Sequence, residues 1–211
     1  MTSRKKYLRK TCAYCGIPIS SPTNDHVFAR SFFKGSVAPP TIPQVPACNE
    51  CNNSKSSLEL YLCTVFPFGS KISNAKEILN EWGARRLKNN QKLRKVLATG
   101  SKTTNKMSSE SGLILPALES IPFDNNIFTK WLFYIVKGLS LHHFNITISN
   151  NDNIDIRMLR AIDDCCLTYD KAFQVGSSVQ ENLSEVFYYR GLSSESIILW
   201  EFKILGGLNF D

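Results

Sequence analysis

The sequence predicts an α+β protein in which a small N-terminal module is followed by helices and a C-terminal antiparallel β-hairpin. Three observations favour this class: two Cys-x-x-Cys pairs within the first 51 residues, apolar residues at helical spacing in the middle, and two runs of β-branched and aromatic residues near the end. With 43% hydrophobic and 20% charged residues, the composition is that of a globular chain. We therefore expect a module at residues 1–70, a basic helix and linker at 71–106, and an accessory region at 107–211.

The N-terminal part is expected to consist of loops and short strands that lead into a helix. Residues 17–47 contain six prolines, which disfavour long helices, and a short hairpin is expected there. A helix is predicted from Asn52 to about Thr64, ended by Pro67 and Gly69. Its apolar positions have helical spacing, at Leu58, Tyr61, Leu62 and Val65.

The rest of the chain is expected to contain two further helices and a pair of strands. Residues 74–98 are predicted to form one helix with a strongly positive polar face, followed by a polar loop at 99–112 that contains the domain boundary. Asp124 is a plausible N-cap for a largely buried helix that extends to about His142. Two antiparallel strands are predicted near the C-terminus, at residues 186–190 and 197–204.

The two halves of the chain carry opposite charges, which the net charge of +7 conceals. Residues 1–106 contain 18 Lys and Arg against 5 Asp and Glu, whereas residues 107–211 contain 7 against 13. A basic half indicates a surface that binds the phosphates of nucleic acid, because neutralised phosphates release their counterions. DNA is the first expectation and RNA the second. The alternative is that the basic residues only solvate an exposed helix.

The chain is expected to act in the cytoplasm, away from membranes. No stretch reaches the ~18–20 uninterrupted apolar residues of a membrane span, and the basic N-terminus lacks the apolar region of a signal peptide. Seven cysteines are an odd number in a reducing compartment, which disfavours a disulfide framework. Cys63, Cys165 and Cys166 are expected to be buried small apolar residues, and metal ligation is the better interpretation of the paired cysteines.

These paired cysteines predict a structural zinc site. Cys12-x-x-Cys15 and Cys48-x-x-Cys51 are separated by 32 residues, and soft thiolates in two such pairs suit tetrahedral Zn²⁺. A four-sulfur site leaves no vacant coordination position, so this ion would hold the segment to the start of the predicted helix. The alternative is four unrelated cysteines.

Two further motifs lie between and after the cysteine pairs, Asp25-His26-Val27 and Asn52-Asn53-Ser54-Lys55. Over residues 10–60 the chain thus contains Cys-x-x-Cys, Asp-His and Cys-x-x-Cys-Asn-x-x-Lys in that order, and it resembles the HNH nucleases that carry a zinc site. The resemblance implies a ββα-metal fold for the module and a metal-dependent endonuclease that hydrolyses phosphodiester bonds. It also implies a setting in restriction or anti-phage defence.

The resemblance implies particular roles for four residues. His26 would be the general base, Asp25 a ligand of Mg²⁺ or Mn²⁺ from the hairpin, and Asn52 the second ligand from the first turn of the helix. Lys55 would assist, and either it or Arg30 could neutralise a neighbouring phosphate. A neutral imidazole with an ordinary pKa near ~6.5 can take a proton from water, and hard oxygen ligands suit Mg²⁺.

Each of these residues has a structural alternative. Asp25 could be an N-cap or turn residue, His26 a packed core histidine and Asn52 a helix cap. The Asn that such nucleases often carry nine positions before the ligating Asn is replaced here by Pro43, so a zinc-stabilised nucleic-acid-binding module without cleavage activity is the second hypothesis. The acidic half could also dock onto a partner protein, with the nuclease as its effector subunit. The two histidines at 142–143 are interpreted as a helix C-terminus.

Overall fold

The computed structural model describes residues 11–20, 23–104, 118–149, 152–157, 171–173 and 177–206. The strands, β1 to β7, are Thr23–His26, Gln44–Ala47, Lys102–Thr104, Leu118–Ser120, Ser177–Leu183, Phe187–Ser193 and Ile198–Ile204. The α-helices, α1 to α5, are Asn49–Gly69, Ala75–Ile78, Ala84–Asn89, Gln91–Gly100 and Asn125–Phe144. The mixture of helix and strand agrees with the predicted α+β class. Within this part of the chain the sheets are antiparallel: β1-β2, β3-β4 and β5-β6-β7.

The N-terminal hairpin leads directly into α1. In the register of β1 and β2, Asp25 is opposite Val45 and His26 is opposite Gln44. The connection between the strands contains a 3-10 turn, Arg30–Phe33, whose phenylalanines are buried. One residue after β2, Cys48 caps α1 by accepting a hydrogen bond from the Cys51 amide on its sulfur. The chain therefore turns from sheet to helix at the second cysteine pair.

Helix α1 is longer at both ends than the sequence predicted. It begins at Asn49 rather than Asn52 and includes Pro67 in its last turn. A proline has no N–H to donate to the carbonyl four residues earlier, here that of Cys63. The Arg86 guanidinium donates to that carbonyl instead, with Nη1 at 2.6 Å from the oxygen. A tertiary contact therefore replaces the lost helical bond.

The prediction of one unbroken helix over residues 74–98 is wrong. The residues from Ala75 to Asn89 are continuously helical, with a π-helical turn at Leu79–Gly83, but the helix ends before Asn90. Asn90 has φ −125° and ψ 82°, and its side chain accepts a hydrogen bond from the Leu93 amide at 3.0 Å. Asparagine favours this capping geometry over the interior of a helix, so a second helix starts there.

The polar segment predicted as a loop over 99–112 contains strand β3, which pairs with β4. Residues 105–117 lie outside the described residues, and the domain boundary expected near 106 stays a prediction. Asp124 caps α5 as predicted, accepting from the amides of Asn126 at 2.9 Å and Ile127 at 3.2 Å. No helix within the described ranges combines the length and apolar character that crossing a membrane requires.

The C-terminal strands β6 and β7 form the predicted antiparallel pair. A third strand, β5, adds to the edge of β6 and was not predicted, because its sequence Ser-Ser-Val-Gln-Glu-Asn-Leu is mostly polar. The sheet is joined to the rest of the molecule by aromatic rings. Phe187 of β6 lies 4.7 Å from Phe28, 5.2 Å from Phe32 and 6.1 Å from Trp131 of α5, measured between ring centroids.

Helix α5 also packs closely on the N-terminal hairpin. A Cβ atom at Gly138 would lie 2.9 Å from Cγ2 and 3.1 Å from Cγ1 of Val27, the residue that follows β1. Such distances are shorter than a carbon–carbon contact allows. Lys137 extends in the same direction and donates from Nζ to the Tyr14 carbonyl at 3.0 Å. The C-terminal half of α5 is thereby held against the N-terminal part of the chain.

Candidate functional site

The four paired cysteines come together as predicted. Their sulfur atoms all lie within 4.8 Å of one another, and Sγ of Cys15 is 4.0 Å from Sγ of Cys48. A tetrahedral zinc site with Zn–S bonds of about 2.3 Å has sulfur atoms about 3.8 Å apart, so the cluster could hold a zinc ion. Cys63 is buried away from this group, as expected, whereas Cys165 and Cys166 lie outside the described residues.

Backbone hydrogen bonds shape the cluster and favour the thiolate of Cys12. The amides of Tyr14 and Cys48 each donate to Sγ of Cys12 at 3.4 Å. Burial acts to raise the pKa of the Cys12 thiol, but the amides around it have the larger combined effect and lower that pKa. Gly16, with φ 73°, lets the chain curl back so that its amide donates to the Cys12 carbonyl at 2.9 Å.

Asp25 belongs to a buried network centred on Lys55. The Lys55 ammonium is 3.1 Å from Oδ2 of Asp25, 2.7 Å from Oε1 of Glu59 and 2.8 Å from the His26 carbonyl. Lys55 is fully buried, and Glu59 is 4% exposed. Tyr14 donates its hydroxyl hydrogen to the same Oδ2 at 2.5 Å. The three protons of the ammonium thus have three protein oxygens as partners.

The buried network shifts the pKa values of Glu59 and Tyr14. Burial raises the pKa of the Glu59 carboxyl, and the attraction of Lys55 offsets only part of this effect. Burial also raises the pKa of the Tyr14 phenol well above its usual range, and the neighbouring Asp25 carboxylate adds to the shift. Tyr14 is therefore a neutral donor, and Lys55 supplies one positive charge to the two carboxylates beside it.

His26 points to different partners from those of Asp25. Its Nε2 accepts from Nε of Arg30 at 3.2 Å and lies 2.6 Å from Nε2 of Gln44. Arg30 can only donate, so Nε2 of His26 carries no proton and the ring is the neutral tautomer with its hydrogen on Nδ1. Asn24 donates to Oε1 of Gln44 at 2.5 Å and so fixes the orientation of that amide.

Burial lowers the pKa of His26, and the positive charges of Arg30 and Lys55 lower it further against the opposing effect of Asp25. The imidazole is therefore neutral at physiological pH, with a lone pair at Nε2. Because neighbouring residues of a strand point to opposite faces, His26 faces a cleft while Asp25 faces α1.

Asn52 lies in the first turn of α1, where the sequence predicted a ligand. Its Nδ2 donates to Oγ1 of Thr23 at 3.2 Å, which ties the helix to β1 two residues before Asp25. Within the described part of the chain, Oδ1 of Asn52 and Oδ1 of Asp25 accept no hydrogen bond. Both are hard oxygen donors of the kind that Mg²⁺ prefers.

A cleft of about 530 Å³ opens beside His26. Its polar lining includes Arg30, Gln44 and His142, and its apolar wall includes Phe33 and Ile42. Nδ1 of His142 donates to the Gln44 carbonyl at 3.2 Å, which anchors the ring of this α5 residue to β2.

The sequence reasoning did not place His142, Gln44, Tyr14 or Glu59 at the site. His142 was interpreted as a helix-terminal residue, and nothing in its neighbourhood along the chain marks its contact with a strand 98 positions earlier. The spacing of Glu59 four residues after Lys55 was a usable signal for an ion pair on one helix face.

No protein-family model, curated protein or solved structure matches this chain. Its function is therefore inferred from its own side chains. These provide a four-thiol cluster, a neutral imidazole at a cleft, and two oxygen donors on the neighbouring strand and helix.

Proposed function

We propose that this chain is a metal-dependent endonuclease of the HNH type that hydrolyses the phosphodiester bonds of nucleic acid, with DNA as the expected substrate. The observation that carries the proposal is the state of His26: a neutral imidazole in the wall of a cleft, with Nε2 as an acceptor. Asp25 precedes it on β1, and Asn52 follows the last zinc-cluster cysteine on α1.

The lowered pKa of His26 suits a general base. A neutral Nε2 can take a proton from a water molecule as that water attacks phosphorus. Arg30 and Gln44 occupy this nitrogen in the absence of substrate. A phosphate entering the cleft would attract the Arg30 guanidinium more strongly than a neutral imidazole does, which would free Nε2 for water.

Asp25 and Asn52 would hold the catalytic cation through their Oδ1 atoms, which accept no hydrogen bond from the described residues. When bound, Mg²⁺ or Mn²⁺ supplies Lewis-acid stabilisation of the phosphoryl oxygens and of the leaving oxygen. Lys55 acts as a positioning residue in this proposal, because its buried ammonium holds the other oxygen of Asp25. Arg30, which is exposed, is the better partner for a phosphate.

The basic segment from 71 to 106 would extend the contact with nucleic acid. The following residues of that segment are exposed and basic: Lys76, Arg85, Lys88, Lys92, Arg94 and Lys95. Contacts of this kind bind the backbone without reading the sequence. Target choice would then come from elsewhere, and the acidic half could supply it by docking a partner protein. Restriction or defence against phage is the setting that we propose.

One observation favours a second candidate, a zinc-stabilised module that binds nucleic acid without cutting it. The Asp25 carboxylate already has a buried ammonium at 3.1 Å. A carboxylate neutralised in this way can serve the fold alone, and it then needs no cation.

A plasmid-nicking assay with Mg²⁺ or Mn²⁺ separates the two candidates. We expect His26→Ala to lower the nicking rate about 100-fold or more, because the proton acceptor is lost, while DNA binding is retained. Asn52→Ala should also lose activity, whereas Asn53→Ala, the exposed neighbour in the same turn, should not. Zinc content and circular dichroism serve as controls for folding.

Equal nicking by wild type and His26→Ala would overturn the catalytic assignment. Tight, salt-sensitive DNA binding by a wild-type protein that never nicks would instead support the binding module.

A further inference from the structure

The cleft beside His26 is built by two distant parts of the chain. One wall comes from the β1–β2 connection, with Arg30 and Phe33, and the other wall includes His142 at the end of α5. No acidic residue is found among the described residues that line it. Its charge therefore suits an anion, and the apolar part of its wall suits a group attached to that anion.

Arg30 lines this cleft and has hydrogen-bond donors beyond the one that contacts His26. Its Nε donates to His26, and within the described part of the chain the two terminal nitrogens of the guanidinium make no hydrogen bond. The side chain is exposed at the mouth of the cleft. A guanidinium with two open terminal nitrogens can bind two oxygens of one phosphate.

His142 is oriented in a comparable way. Its Nδ1 is held by the Gln44 carbonyl at 3.2 Å, and among the described residues its Nε2 has no hydrogen-bonding partner. The hydrogen bond at Nδ1 fixes the ring, so Nε2 is the atom available to a ligand, and it can donate to a phosphate oxygen when the ring is the imidazolium. His142 is exposed, so a ligand in the cleft can reach it.

We propose that this cleft is a nucleotide subsite, in which Arg30 and the imidazolium of His142 hold a phosphate of the substrate strand while Pro40 and Ile42 contact the attached sugar and base. The inference rests on the proposed function, since it describes how the substrate is seated beside His26. It adds a substrate-contacting residue from α5, which lies outside the module of residues 1–70. A volume of about 530 Å³ accommodates such a group.

The test measures binding without cleavage. A labelled single-stranded oligonucleotide is titrated into the full chain in buffer without added Mg²⁺ or Mn²⁺, and the dissociation constant is compared among variants that retain their zinc. Arg30→Met and His142→Asn should each weaken binding about tenfold. Asparagine can keep the hydrogen bond that His142 Nδ1 donates to Gln44 but has no atom at the Nε2 position, so the anchor survives and the contact is lost.

Lys203→Ala is the control, because Lys203 is exposed on β7 and does not line the cleft. It should bind as wild type. The ¹⁵N resonance of His142 Nε2 should also shift when a 5′-phosphorylated thymidine dinucleotide is added, and it should shift less with inorganic phosphate, which lacks a group for the apolar wall.

Wild-type affinity in both Arg30→Met and His142→Asn, with an unmoved Nε2 resonance, would overturn the subsite even if plasmid nicking depends on His26. Weakened binding in these variants, in a protein that never nicks, would instead support the subsite and overturn the nuclease.

Discussion

A single lysine organises the residues around the proposed catalytic pair. Lys55 was predicted from its place in the Asn-x-x-Lys motif, but the motif carries no information on whether the side chain is buried. The structure places its ammonium inside the molecule, against Asp25, Glu59 and the His26 carbonyl. A buried ion pair adds little to the free energy of unfolding relative to apolar residues of similar volume. Removing the ammonium alone, however, leaves its carboxylates buried and unpaired.

Replacement of Lys55 by alanine should lower the free energy of unfolding by about 3–5 kcal/mol, because two buried carboxylates lose their counter-charge. Lys92→Ala removes an exposed ammonium and should change the free energy by no more than about 0.5 kcal/mol. Urea denaturation of the three proteins measures both effects. Equal stability of the two variants would show that the buried network contributes nothing to the fold.

Among the secondary-structure elements, the two cysteine pairs join the turn at residues 12–15 to the start of α1. Cys48 ends the connection from β2, caps α1 and belongs to the four-sulfur cluster. The amide of Ala13 in the first pair donates to the Pro46 carbonyl of β2 at 2.9 Å. The position of α1, and with it that of Asn52, therefore depends on this cluster.

We expect Cys48→Ser to lose zinc and to unfold the N-terminal hairpin, because structural zinc contributes on the order of 10 kcal/mol to the folding of small modules. Cys63→Ser is the matched control: this cysteine is buried within α1, the helix that Cys48 caps, but lies outside the cluster, so zinc should be retained. Elemental analysis and circular dichroism provide the measurements. A Cys48→Ser protein with one tightly bound zinc per chain would contradict the four-cysteine site.

The elements that the sequence predicted are those specified by local chemistry. Asp124 before a run of apolar residues identified α5, and β-branched and aromatic runs identified β6 and β7. The break at Asn90 was missed because the apolar spacing continues across it. Strand β5 was missed because pairing with β6 stabilises a segment whose own sequence has little strand preference. His142 entered the site only through the packing of α5 on the hairpin.

For the molecule as a whole, a second polar network links α5 to the C-terminal sheet. The Tyr189 hydroxyl donates to Oε2 of Glu181 at 2.6 Å, so it must accept its contact with Nε2 of His143, at 2.9 Å, as a hydrogen bond from the imidazole. Burial lowers the pKa of His143, the charge of His142 lowers it further, and Glu181 opposes the shift. Trp200 lies 5.9 Å from the same imidazole, measured between ring centroids.

This lowered pKa predicts how stability depends on pH. Above the ordinary histidine pKa of 6.5, His143 is neutral in both states and the stability is fully present. As the pH falls below that value, the unfolded chain binds a proton that the folded protein does not, so stability is lost until the folded pKa is passed. The lowered pKa of His26 likewise makes the folded protein less stable as the pH falls.

His143→Gln keeps a donor near the Nε2 position but cannot titrate. The variant should therefore lose less stability than wild type between about pH 7.5 and about pH 5.5, as measured by urea unfolding at each pH. Identical losses in the two proteins would assign the pH dependence to other groups.

The absence of a side chain at Gly138 affects the position of His142 as well as the packing of α5. His142 follows Gly138 by four residues and so lies on the same side of α5, one turn further on. A methyl group at 138 would force the helix away from Val27, and the imidazole would retreat from β2 with it. The close approach of α5 to Val27 at Gly138 therefore helps to set the distance across the entrance to the cleft, and a Gly138→Ala substitution should widen that entrance.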